Sequence, residues 1–212
     1  MTPRRVHPTE SARALLLAAA IDVIRRRGLH ATTVDELCSA AGVTKGAFFH
    51  HFESKEALAV AAAEYWGDTT AEMFAAAPYH QPVDAVARID GYLAFRAALV
   101  AGPPEQFTCL VGTMAQEAFS TQPLVRDACG RAIVGHAATL EADFVDAIAA
   151  HCPHAGVTAH DLALHTQVVL QGAFVVAKAT DDPGVVTRAI DHLRRYLRLL
   201  FGTDALPTAL PT

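Results

Sequence analysis

The stretch GVTKGAFFHHFESKEAL, residues 42 to 58, gathers Lys45, His50, His51 and Lys55 around three phenylalanines. With no nucleophile or carboxylate pair converging on them, two cations and two imidazoles have little to offer covalent chemistry, and they suit the recognition of a polyanion. Thr44 is placed to cap a short helix reaching about His51, whose unpaired N–H groups favour an anion at the same end as Lys45. Gly46 lets that end come close to a phosphate or a base edge. Phe48 and Phe52, four apart, turn inward and leave Lys45, Ala47, His50 and His51 for the outward face. Lys55 stands in the first turn of the next helix, the wrong end for a cation, and an external phosphate would account for it there.

The elements that must hold this stretch are legible from local signals. Ala12, Leu15, Leu16, Ala19, Ala20, Val23 and Ile24 recur at helical spacing, with Thr9 as N-cap, Arg25 to Arg27 against the C-terminal dipole and Gly28 as the stop. Thr33 opens a capping box with Glu36, and Val34, Leu37, Cys38 and Ala41 form one apolar stripe. Gly42 supplies the turn into the Thr44-capped helix, and Ser54 caps a fourth that runs to about Ala77. Two short capped helices behind an amphipathic one outline a helix-turn-helix, with the third helix as reader.

The rest of the chain is helical too. Breakers at Pro78 to Pro82, AGPP (101–104), Pro123, HCPHAG (151–156) and DDPG (181–184) divide it into further helices, giving about nine in all and an all-α fold without a convincing strand. The expected organisation is a three-helix DNA-binding domain over residues 1–53, a helical effector-binding and dimerisation domain over 54–202, and a loose tail over 203–212. Hydrophobic residues make up 52% of the 212 and charged ones 18%, enough to bury a core. The net charge of -5 is unevenly spread: residues 1–58 hold eight Lys or Arg against six Asp or Glu, the remainder nine against sixteen. A basic head on an acidic body meets phosphates with the head alone. With no run of 18 apolar residues, no membrane partner is expected, and the location expected is cytoplasmic. Cys38, Cys109, Cys129 and Cys152 form no CxxC pair and read as reduced thiols.

TVDELCSAAGVTKGAFFHHFESKEAL resembles the DNA-binding segment of the TetR family of transcriptional regulators, in its A-A-G-V turn, Thr-Lys-Gly, aromatic pair, His-Phe and Ser-Lys-Glu-x-Leu. The likeness covers residues 9 to about 60. It implies that Thr33, Thr44, Lys45, Gly46, Phe49, His51 and Lys55 lie at or near the DNA backbone, with Ala47 and His50 closer to base edges. Phe49 stands where the family usually has Tyr, so the phenolic contact to a phosphate is missing. The resemblance further implies a repressor that binds a palindromic double-stranded operator as a homodimer and is released by a small-molecule effector, not an enzyme.

One helix-turn-helix offers few contacts, and pairing two across a two-fold axis supplies affinity and a longer target. The last two helices, about Ala159 to Thr180 and Pro183 to Phe201, resemble those with which TetR-type proteins dimerise, and Leu162, Val169, Gly172, Ala173 and Val176 form the candidate interface stripe. Apolar bulk for an effector chamber comes from Trp66, Met73, Tyr92, Phe95, Phe107, Met114 and Phe174, with Glu117, His165 and Gln171 as orienting polar groups. The fourth helix, about 24 residues and about 36 Å long, is the expected lever, with Gly67 as a point of bending. FTCLVGTMAQEAF (107–119) is similar to a branch of the family that senses electrophiles and reactive chlorine, which leaves Cys109 as either a sensor or an inert thiol. His151, Cys152, His154 and His160 lack a second convincing ligand pair, so neither metal nor cofactor is expected. A non-specific architectural DNA binder would need more basic surface than this body has.

Overall fold

The computed structural model describes residues 11–152 and 156–203. Regular structure among them is helical throughout: α1 (Ala12–Arg27), α2 (Val34–Ala41), α3 (Lys45–His51), α4 (Lys55–Ala75), a 3-10 turn (Pro78–His80), α5 (Ala85–Ala98), α6 (Pro104–Phe107), α7 (Leu110–Ala118), α8 (Pro123–Ala138), α9 (Glu141–His151), α10 (Ala159–Thr180) and α11 (Gly184–Phe201). Two expected boundaries are refined. The helix expected between Pro123 and HCPHAG is two helices, because Thr139 and Leu140 close the chain with tight bonds to the carbonyls of His136 and Ala137, and the Thr139 hydroxyl donates to the His136 carbonyl at 2.8 Å. The segment after AGPP contributes the single-turn α6 before α7 begins. Thr9 and the tail beyond Thr203 lie outside the described residues; α1 is capped by Ser11, whose Oγ accepts from the Ala14 N–H at 3.2 Å.

Packing divides the chain into two compact units, one formed by residues up to Thr70 together with Thr108–Ala132, the other by Ala71–Phe107 together with residues from Ile133 onward. The expected domain boundary at residue 53 cuts the chain within the first of these units.

The first unit is built on the helices that frame α3. The capping box is fully formed: Thr33 Oγ accepts from the Glu36 N–H, and the Glu36 carboxylate accepts from the Thr33 N–H at 2.9 Å. Gly42 ends α2 at φ 65°, a left-handed conformation that a side chain would strain, and this turns the chain sharply into α3. Leu16, Leu17, Ile24, Leu37, Phe48 and Leu58 are all essentially fully buried between α1, α2, α3 and the start of α4. Each such side chain contributes about 1.5–3 kcal/mol. α4 continues through Gly67 as regular helix, and a Cβ there would meet the Ala132 Cβ at an ordinary 3.6 Å.

In the second unit α5, α9, α10 and α11 pack on one another. Asp90 on α5 holds both Arg194, at 2.7 Å, and Arg198, at 3.0 Å, from α11, and Arg88 on α5 holds Asp143 on α9 at 2.7 Å. By length and mean hydropathy (1.3) α10 could cross a membrane, but 44% of that stretch is buried here, with Leu162, Thr166, Gln167, Leu170 and Phe174 turned into the unit's own core.

Candidate nucleic-acid interface

The end of α3 is presented to solvent. Thr44 caps it, its Oγ accepting from the Ala47 N–H at 3.1 Å, while Phe48 is fully buried and Phe52 almost so. Those two inward rings, 5.9 Å apart, fix the roll of the helix. Thr44, Lys45, Gly46, His50 and His51 are consequently exposed, and Ala47 is half-buried. At Gly46 a Cβ would meet only Thr44 Oγ, at 3.8 Å, so no close contact within the chain requires glycine there. Lys45 reaches back to Asp35 at 2.8 Å; both side chains are well exposed, and the hydrogen bond to that carboxylate raises the lysine pKa. A surface pair of this kind is weak and easily exchanged for a phosphate. His50 and His51 stack edge to face, 4.9 Å apart. Phe49 is 53% exposed, resting its ring on Phe48 at 5.1 Å, an apolar surface where a hydroxyl could have reached out.

Two expected backbone contacts sit differently. The Lys55 ammonium donates to the carbonyls of Leu29 at 2.9 Å, Thr32 at 2.8 Å and His30 at 3.4 Å. Its three donors are thereby spent on the loop between α1 and α2, and this internal anchorage, not an external phosphate, accounts for a cation at the start of α4. Thr33 is exposed, but its hydroxyl also donates to Glu36, at 3.0 Å, so both its roles belong to the capping box.

The same loop is held from its other side by a residue expected in the effector chamber. Glu117 Oε2 accepts from the His30 N–H at 2.7 Å and lies 3.3 Å from its Nδ1, while Oε1 fills the space that a Cβ on Gly28 would need. Arg25, at the end of α1, donates to the Thr108 carbonyl at 2.8 Å and lies over the Trp66 ring at 5.0 Å. Trp66 and Glu117 therefore brace α1 and the loop that follows it from within the first unit. Met114, in that unit, is fully buried, and Cys109 is half-buried at the N-cap of α7 with its side chain capping nothing.

Of the remaining chamber residues, all in the second unit, Tyr92 and Phe95 belong to an aromatic group around Phe74, and Phe107 pairs with Phe174, the two groups linked by Arg96. Phe74 lies 5.6 Å from Tyr92 and 5.4 Å from Phe95, and Phe107 lies 6.4 Å from Phe174. Gln171 is half-buried on α10. Met73 is exposed, and His165 faces outward against Tyr196 at 5.8 Å, so His165 is no lining group of that interior. Two members of the cluster escaped the sequence reading. His136 shares a 3.0 Å hydrogen bond with the Tyr92 hydroxyl, which also accepts from Gln167, and burial, aided by the Arg96 cation, pushes its pKa down to about 4. Arg96 lies over the Phe74 and Phe174 rings at 5.2 and 5.6 Å. Its signal was present: it is the sole charge between Gly91 and Pro104.

On the proposed dimer stripe, Leu162 and Ala173 are buried within the protomer itself and contribute to its core; Val169 is half-buried, and Gly172 and Val176 are exposed. The four cysteines are free thiols, and burial pushes Cys129 up to about 12. Among the described residues no three His, Cys, Asp or Glu side chains gather as a metal site; His154 lies outside them.

Residues 16–62 match the family model for bacterial regulatory proteins, tetR family, and residues 85–193 match the tetracyclin repressor-like C-terminal domain. The uncharacterised HTH-type transcriptional regulator YerO of Bacillus subtilis is 43% identical over 51 residues, 24% of this chain and 18% of that protein. The HTH-type transcriptional repressor KstR2 of Rhodococcus jostii is 41% identical over 61 residues, 27% of this chain and 30% of its own length. The chain thus matches less than a third of these curated relatives. Among solved structures, a TetR transcriptional regulator from Chloroflexus aurantiacus has a TM-score of 0.75 at 26% identity, covering 88% of this chain and 93% of that one. Reduced NemR of E. coli has a TM-score of 0.77 at 21% identity, covering 92% and 99%, a likeness of fold.

Proposed function

Because the chain belongs to the TetR family and is a DNA-binding transcriptional regulator, we propose that it is a repressor that grips a palindromic operator as a homodimer and is released by a small molecule. The family is one of regulators and not of enzymes. The observation that carries the reading is the exposed end of α3, where Thr44, Lys45 and a glycine that the chain itself does not need face outward. Residues 1–53 are then the DNA-binding domain, working in the cytoplasm where the operator is, with Ala47 and His50 nearest the bases. Lys45, His51 and the helix end meet phosphates, and Phe49 offers apolar contact only.

Dimerisation is supported by the outer faces of α10 and α11. Val168, Val175 and Val176 on α10 and Tyr196 and Leu199 on α11 are 41–65% exposed, with Gly172 among them allowing close approach. A face of that composition is costly to leave in water, and a two-fold axis would let it cover a second copy of itself. The repressor reading is favoured by the name of the KstR2 relatives. Release follows from differential binding, since a coupling of about 3 kcal/mol already weakens operator affinity roughly 150-fold.

Selection of bound sequences from random duplexes tests this. An inverted repeat with half-site centres about 10 base pairs or a multiple apart, holding two chains per duplex, is the expected result; an asymmetric site bound by one chain contradicts it. A second reading, release by an electrophile at Cys109, is favoured by that thiol's partial exposure beside the buried Cys129. Release of the selected operator by a thiol reagent, lost in Cys109→Ser, would identify it.

A further inference from the structure

The half-buried arginines of the second unit follow a rule with one exception. Arg88 is matched to Asp143 and Asp146, and Arg194 and Arg198 to Asp90. Arg96 is half-buried like them, yet among the described residues it pairs with no carboxylate and donates to no acceptor; it lies over the faces of Phe74 and Phe174, with Tyr79 and His136 within reach of its charge. Those faces offset part of the cost of partial burial, and the guanidinium nitrogens, none of which is a buried atom without a partner, stay open to water or to a guest in a group that never loses its charge.

The surroundings define what such a cation is for. Phe74 and Phe174 supply apolar contact to it, each ring packed in turn on another phenylalanine, Phe95 and Phe107. The polar groups beside it are neutral: the Tyr92 hydroxyl is tied to His136 and Gln167, His136 is held uncharged by burial and by Arg96 itself, and burial pushes the Tyr79 phenol up to about 12. A cationic guest would face an uncompensated guanidinium, and an uncharged one would displace water from it without offsetting its charge. A carboxylate fits the planar fork with two parallel hydrogen bonds, made stronger by low local polarity.

We propose that this aromatic interior binds an organic acid, an apolar body bearing a carboxylate, with Arg96 as the anchor of the carboxylate. This deepens the effector-release reading and rests on it for its biological meaning, but its chemistry can be tested without DNA.

The probes are hexanoate, decanoate, benzoate and 2-naphthoate, each beside its corresponding alcohol, titrated calorimetrically into the DNA-free protein. At least one acid is expected to bind about 10- to 100-fold more tightly than its alcohol, and Arg96→Gln to erase that preference while leaving alcohol binding unchanged. Absence of binding by every acid, equal affinity for acid and alcohol in the native protein, or a preference that survives in Arg96→Gln would each overturn the proposal. Should Arg96→Gln fail to fold, the acid-to-alcohol ratio in the native protein decides alone. Operator release is measured separately with the same acid: binding through Arg96 without release leaves the site standing and removes the regulatory reading.

Discussion

Phe48→Ala is expected to cost about 3–5 kcal/mol of stability and to abolish operator binding. Phe48 is fully buried, its ring touches Phe49 and Phe52, and it is the one side chain of α3 that lies wholly inside the core of the first unit. A seven-residue helix has almost no stability of its own, so the position of every reading residue depends on that ring. Phe49→Ala removes a neighbouring ring that is 53% exposed and should cost about 1 kcal/mol or less. Denaturant titration of the two variants checks this directly, and a Phe48→Ala protein within about 1 kcal/mol of the parent would mean that α3 is held by something other than its inward face.

The second large effect is a dependence on acid. His136 has its pKa at about 4 in the folded chain, against 6.5 for the unburied side chain, because its half-buried ring is screened from water beside Tyr92 and Phe74 with a cation near. Between those values the unfolded chain takes up a proton that the folded chain refuses, so stability falls as pH falls through the window from about 6.5 to about 4, by about 3 kcal/mol. Asp90 acts in a separate window. Burial raises its pKa, but hydrogen bonds and charge from Arg194 and Arg198 more than offset this, leaving it below the ordinary carboxylate value, so its contribution is lost only under more acidic conditions. His136→Gln should flatten the stability profile between pH 6.5 and 4. Retention of the full slope in that variant would assign the effect to other groups.

What was legible in the sequence was local. The capping box of Thr33 and Glu36, the turn at Gly42, the Thr44 and Ser54 caps and the inward pair Phe48 and Phe52 are interactions between residues at most four apart, and each is formed. What was not legible joins distant positions. Lys55 was assigned to an external phosphate because its partners, the carbonyls of Leu29, His30 and Thr32, belong to a loop before α2, and Glu117 reaches the same loop from 87 residues away. Burial on α10 failed for another reason. Leu162 and Ala173 on one side and Val168 and Val175 on the other are alike in composition, and only packing against α9 and α11 decides which side is core. Arg96 was passed over because a lone charge in GYLAFRAALV reads as a solvated break in an apolar helix until its neighbours prove to be two phenyl rings.

The central claim is that the outward side of α3 lies against duplex DNA in two symmetry-related copies. Photocrosslinking tests it most directly, with Phe49 replaced by p-benzoylphenylalanine in one protein and the almost fully exposed Val83 replaced in another as control. The account predicts crosslinks from position 49 to both half-sites of the selected operator, equally spaced about its dyad, and none from position 83. Failure of position 49 to crosslink, or crosslinks no more frequent than from position 83, would contradict it.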